Sequence, residues 1–240
     1  MGTLHWLYSR EYRINDFITI VIPTVGDVLA NEDDYYSMLS MLTSMPIDMM
    51  AQLDEIGIDF EEINDYDLFL LVFGSLKSMD TSLIFGDLDL SKFELVVKPE
   101  TQMIVLRDPE SGAVIDRSIQ NEIATVLRKI HGLEKNYRRP GNKEAKEYMM
   151  ELARKKIKRQ RRKRTTDSQL EQMIISMVNT EQCSYRFDNI VDMTIYQFNE
   201  SVRQVVRKID FDNKMHGIYS GTLDVKKINQ SELNWLTPKK

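Results

Sequence analysis

Asp65-Tyr66-Asp67-Leu68-Phe69-Leu70-Leu71-Val72-Phe73-Gly74-Ser75-Leu76 sets apolar side chains on nearly every side of a 3.6-residue period. A helix of that kind belongs inside a protein, because no apolar stripe of it is matched by a polar one that water can cover. It is far too short to cross a bilayer, which needs about 20 apolar residues. Asp65 stands where a helix cap is expected. The stretch is therefore read as a buried helix over residues 66–76, at the centre of the N-terminal half.

Upstream, Tyr35, Met38, Leu39, Leu42 and Met45 recur at spacings of three and four, the period of one helix face. Pro46 interrupts that helix, Ile47, Met50, Leu53 and Ile56 continue the stripe, and Gly57 is a natural stop. Thr24 is placed as an N-cap with Asp27 three residues on. Glu11-Tyr12-Arg13-Ile14 and Phe17-Ile18-Thr19-Ile20-Val21-Ile22 flank Asn15-Asp16, and the second run is β-branched and bounded by Pro23. That pattern predicts a hairpin.

Downstream the period changes. Phe93-Glu94-Leu95-Val96-Val97, Met103-Ile104-Val105-Leu106 and Ala113-Val114-Ile115 read as strands of an antiparallel meander, and Asp108-Pro109-Glu110-Ser111-Gly112 as a turn. Ile119, Ile123, Val126, Leu127 and Ile130 then mark a helix that ends at Gly132. The fold class is α+β, mainly helical with a small antiparallel sheet and a hairpin.

Arg138-Arg139-Pro140-Gly141-Asn142 is the clearest break in the chain, with Asn142 placed to cap a helix that begins at Lys143. Helices are expected over residues 143–164, 170–178 and 194–219. The last should carry Phe198, Val202, Val205, Val206 and Ile209 inward, and Leu233, Trp235 and Leu236 should dock back onto the body. Charge divides near the same break. Residues 1–120 hold 22 acids against 7 bases, and residues 121–240 hold 15 acids against 25 bases. The expected organisation is an acidic part at 1–137, a Pro/Gly turn at 138–142 and a basic helical part at 143–240.

Catalytic patterns are missing. His5, His131 and His216 are far apart and lack metal-binding spacing, and a His beside Gly132 or Gly217 reads as a favourable charge at a helix end. Asp54, Glu55, Asp59, Glu61, Glu62, Asp65 and Asp67 lack the spacing of a calcium loop and read as a solvated face. Cys183 has no basic neighbour to activate it, and the phosphate-cradling and dinucleotide Gly motifs are absent. Neither catalysis nor a cofactor or metal is expected. A single cysteine suits a reducing compartment, residues 1–13 lack a signal-peptide pattern, and no apolar run spans a membrane. The expected location is the cytoplasm.

The most conspicuous local feature is cationic. Arg154, Lys155, Lys156, Lys158, Arg159, Arg161, Arg162, Lys163 and Arg164 crowd eleven residues and are interrupted by one apolar side chain, Ile157. Such a run neutralises phosphates in nucleic-acid binding, complements a helix C-terminus, or pairs with the acidic N-terminal half or an acidic partner. It contains no aromatic residue on which a base could stack.

The order of segments resembles that of tail assembly chaperone-like proteins of tailed phages and prophages. The resemblance lies in the hairpin leading into Ile20-Val21-Ile22-Pro23-Thr24-Val25-Gly26-Asp27-Val28-Leu29, followed by Tyr35-Tyr36-x-x-Leu39-x-x-Leu42. It returns in Ile190-Val191-Asp192-Met193-Thr194-Ile195-Tyr196-Gln197-Phe198-Asn199, in Ser220-Gly221 and in Leu233-Asn234-Trp235. It covers residues 1–75 and 181–240 and leaves the strand-rich middle aside. What it implies is a non-catalytic cytoplasmic protein that coats the apolar helices of a tape-measure protein before the tail tube closes round them. The partner-binding face would then be Tyr35, Met38, Leu39, Leu42, Met45, Met49 and Met50, since abundant Met suits an adaptable surface. A structural tail or head-tail component that self-associates is the second expectation, and a nucleic-acid binder using residues 154–164 the third.

Overall fold

The computed structural model describes residues 6–99, 102–162, 168–229 and 233–236, with the backbone alone at 160–162 and 227. The hairpin forms as expected, from β1 (Glu11–Arg13) and β2 (Thr19–Val21) in antiparallel register, Tyr12 opposite Ile20. Asn15 closes its loop by accepting hydrogen bonds from the backbone N–H groups of Phe17 and Ile18, at 2.9 and 2.8 Å. Thr24 and Asp27 make a reciprocal capping box on α1 (Val25–Ala30).

A second capping box, Thr194 with Gln197, starts α10 (Ile195–Tyr219). The two caps are laced together. Ile195 N–H donates to Pro23 C=O at 2.8 Å, Val25 N–H to Met193 C=O at 2.8 Å, and Gly26 N–H to Val191 C=O at 2.9 Å. Gly26 allows that approach, since a Cβ there would lie 3.3 Å from the Val191 carbonyl oxygen. The long final helix is thus fastened to the N-terminal hairpin by backbone hydrogen bonds.

The stripe over residues 35–56 folds as α2 (Glu32–Thr43), a 3-10 turn at Pro46–Met49 and α3 (Met50–Glu55), with Gly57 at φ 75° ending it. The central helix α4 (Asp65–Leu76) is buried through Tyr66, Leu68, Phe69, Phe73 and Leu76. Its cap is Asn64, not Asp65: the Asn64 carboxamide oxygen accepts from the N–H groups of Tyr66 and Asp67. Two short helical segments, α5 (Ser82–Phe85) and a 3-10 turn at Leu90–Lys92, were not expected from periodicity, which does not register elements of one turn.

The meander is present as β3 (Glu94–Val97), β4 (Ile104–Arg107) and β5 (Val114–Ile115), antiparallel in the order β3-β4-β5. The Tyr66 hydroxyl donates to the carbonyls of Ile104 and Ile115, at 3.2 and 3.0 Å, and so pins the start of α4 across two of these strands. α6 (Arg117–His131) follows and stops at Gly132 in the left-handed region, φ 62°.

Asn142 caps α7 (Lys143–Arg162) through its side chain, which accepts from Ala145 N–H at 2.8 Å. α8 (Gln169–Val178) and α9 (Phe187–Ile190) complete the helices before α10. The break at 138–142 does not divide the main core. Ile18, Tyr35, Phe69, Ile123 and Leu127 share it with Leu170, Ile174, Ile190, Ile195 and Phe198. A second, smaller core holds Ile47, Met50, Leu53, Phe60, Leu68 and Met150, and α7 closes it. The protein is a mainly helical α+β structure with two small antiparallel sheets.

One expectation for α10 fails. Phe198 is fully buried and Val202 and Val205 are partly so, but Val206 and Ile209 face solvent, with Val206 59% exposed. The helix outruns the body that covers its first turns, and apolar spacing carries no information about where a neighbour ends. The C-terminal segment does meet α10: Gln204 donates to the Trp235 carbonyl at 3.0 Å and Lys208 lies over the Trp235 ring, while Leu236 stays exposed.

Candidate macromolecule-binding surfaces

The apolar stripe proposed for partner binding is already occupied. Tyr35, Met38, Leu39 and Leu42 are packed in the main core and Met50 in the second. Met45 and Met49 are partly buried against that second core. The stripe binds the chain to itself, because α2 packs against both α6 and α4. Of these seven residues Met49 lines an open groove beside Tyr36, Met41 and the acids Glu32, Asp33 and Asp34, while Met50 and Leu39 reach the floors of two smaller ones.

An apolar surface exists elsewhere, on the β3–β4 ribbon. Residues directly opposite in an antiparallel pair share a face, so Leu95, Val97, Ile104 and Leu106 lie on one side. Leu106 is fully buried, whereas Leu95, Val97 and Ile104 are 61%, 51% and 46% exposed. The face therefore begins in the core and runs out into water. Met103, 61% exposed, extends it at the tip. Among the described strands β3 pairs only with β4, so its outer edge presents unpaired backbone groups. Beside the ribbon lies a groove of about 880 Å³ lined by Tyr66, Leu70, Met103, Ile104 and Val105, with the Lys98–Asp116 ion pair on its rim. Burial and the Asp116 carboxylate push the Tyr66 phenol up to about 12, so it stays a neutral donor to the two strand carbonyls. Three consecutive apolar residues, Leu95 to Val97, ordinarily indicate a strand covered on both faces. That spacing located the strand but could not reveal its exposure, which depends on what packs beside it.

The cationic run divides in two. The first half of α7 is held down. Lys146 donates to both Asp59 carboxylate oxygens, at 2.7 and 2.5 Å, reaches Glu61 at 2.6 Å and lies over the Phe60 ring. The Lys146 ammonium holds the Asp59 carboxyl below the usual carboxylate range. Arg154 reaches Asp54 at 2.5 Å. Part of the acidic stretch at 54–67 is thus a counter-surface for α7, and not solely a solvated face. Beyond Arg154 no described side chain of α7 makes an ion pair with the acidic stretch. Lys155 turns back to Glu151 at 2.6 Å, while Lys156, Lys158 and Arg159 are exposed and have no ion-pair partner among the described residues. The side chains of Arg161 and Arg162, and all of Lys163 and Arg164, lie outside the described residues.

His131 is not the charged helix end that its position suggested. Its Nε2 lies 2.9 Å from the Tyr35 hydroxyl, and burial lowers its pKa to about 4, so the ring is neutral at pH 7. His5 lies outside the described residues. Cys183 is partly buried, with its Sγ directed at the Tyr185 carbonyl. Among the described residues no group of three or more His, Cys, Asp or Glu is arranged to hold a metal ion. No described helix is long and apolar enough to cross a membrane.

Fold and surface together define a mainly helical α+β protein with a two-part core, an apolar ribbon and a cationic helix end. A family model described as the YomV second domain matches residues 159–239. That segment is about a third of the chain, opens inside the basic end of α7 and takes in α8, α9 and α10. Its likeness is to a phage- and prophage-type family. No curated protein and no solved structure matches the chain.

Proposed function

We propose that the chain is a non-catalytic assembly factor of phage type, a tail assembly chaperone-like protein that binds apolar helical segments of a tape-measure protein in the host cytoplasm. The observation that carries this reading is the β3–β4 ribbon, whose apolar face runs from buried Leu106 out through exposed Ile104, Leu95 and Val97. Contiguous exposed apolar surface of this kind marks a docking site. An amphipathic helix laid across it would be read through side chains spaced one turn apart. The phage-type likeness of the C-terminal third supports the setting. The binding face is moved from the buried residues 35–50 to the ribbon.

The test is co-expression of the full chain with the tape-measure protein of the same phage. A soluble complex that withstands about 500 mM salt is expected, because apolar contacts are little screened. Leu95→Lys with Val97→Lys should weaken it at least tenfold, on the order of 1.4 kcal/mol or more. The same change should leave folding stability within about 0.5 kcal/mol, since both side chains already stand in water. No complex, or one that the double variant binds equally well, refutes the reading. Persistence of the chain in finished particles would instead favour a structural tail component.

A further inference from the structure

The ribbon leaves the other conspicuous surface without a role. We propose that the last two turns of α7 form a binding arm for the phosphodiester backbone of duplex nucleic acid, independent of the apolar ribbon.

The case starts with how α7 is held. Its first half is fixed by Met150 in the second core and by the Lys146 and Arg154 ion pairs to Asp59, Glu61 and Asp54. Beyond Arg154 no described side chain of α7 makes an ion pair with the body. Residues 155–162 contain six cations, with Ile157 the one apolar side chain. Lys155, Lys156, Lys158 and Arg159 are all exposed, and Ile157 among them is only partly so. Like charges recur at spacings of three and four, Lys155 with Lys158 and Arg159, and Lys156 with Arg159. Such pairs destabilise an isolated helix. Lys156, Lys158 and Arg159, exposed, crowded together and without an ion-pair partner among the described residues, suit an external polyanion.

Linear charge density selects the polyanion. Eight helical residues span about 12 Å of axis, so six cations present roughly one charge per 2 Å. Duplex DNA carries one negative charge per about 1.7 Å. Counted over all sides in the same way, an acidic protein helix reaches that density only where acids fill about three positions in four. The match is to the duplex backbone. Without an aromatic residue in the run, binding would be sequence-independent and set by phosphate contacts. The acidic first half of the chain, 22 acids against 7 bases over residues 1–120, would hold the duplex away from the body and confine contact to the arm.

The experiment is fluorescence anisotropy of the full chain with a labelled DNA duplex of about 20 base pairs and with an RNA duplex of the same sequence. The expected result is binding at about 50 mM KCl that weakens roughly 250-fold or more by about 200 mM, a log–log salt slope near −4 or steeper. The Lys155→Gln, Lys156→Gln, Lys158→Gln, Arg159→Gln variant should lose at least tenfold in affinity and flatten the slope by about 3. These side chains are exposed, so unchanged circular dichroism is expected to accompany the loss. Equal binding of the two duplexes supports a backbone reader, and preference for one names its source. The proposal is overturned if neither duplex binds at low salt, if the glutamine variant binds as well as the parent, or if polyglutamate is bound more tightly than either duplex.

Discussion

His131 stands against Tyr35 with its ring nitrogen 2.9 Å from the phenol, and its pKa of about 4 has a definite consequence for stability. The ordinary histidine value is about 6.5. Between pH 6.5 and about 4 the unfolded chain takes up a proton that the folded one excludes. Stability from this residue is therefore complete above pH 6.5 and falls away as the pH drops through that window. The full shift corresponds to about 3 kcal/mol, and partial solvent contact of the ring reduces the expected loss to about 2 kcal/mol. Urea unfolding at pH 7 and pH 4.5 should show the wild type losing about that much more than His131→Gln, which cannot titrate. Parallel losses in both proteins would show that the ring is not held neutral by the fold. The sequence placed this histidine beside a helix-ending glycine but could not show the tyrosine from a helix 96 positions away in the chain.

At the scale of elements, α7 is two objects joined end to end. Met150 is buried in the second core, and two residues on Leu152 faces water at 48% exposure. Met150→Ala should cost about 2–4 kcal/mol, by lost burial and the cavity left behind. Leu152→Ala should cost no more than about 0.5 kcal/mol. Thermal unfolding of the two variants separates them, and equal effects would contradict this division of α7. Much of the element order was legible, and for physical reasons. The turn residues Asn15, Gly57, Gly112 and Gly132, and the caps Thr24 and Asn142, act through local geometry that a few neighbouring residues determine. What was not legible was facing. Tyr35, Met38 and Leu42 have the spacing of a binding stripe and are core. Val206 and Ile209 have the spacing of core and are exposed, and so has the run at 95–97. Periodicity reports that a face is apolar. It does not report whether that face is covered by the same chain, by a partner or by water.

The whole molecule brings its two oppositely charged parts into contact at limited points. Lys146 and Arg154 of α7 meet acids at 54–61. Exposed pairs of this kind hold a relative orientation and add little stability. The shared main core, which α8, α9 and α10 complete, does the joining. The two surfaces proposed to meet other molecules, an apolar ribbon at the sheet edge and a cationic helix end, are distinguishable by their response to salt. The central claim concerns the first. Its most direct test is amide hydrogen exchange on the full chain, free and in complex with the tape-measure protein. On the present account exchange over residues 94–97 and 103–104 slows roughly tenfold or more in the complex, while residues 155–159 are unchanged. Protection that leaves the ribbon untouched and appears instead on the outer face of α10, around Val206 and Ile209, would contradict it.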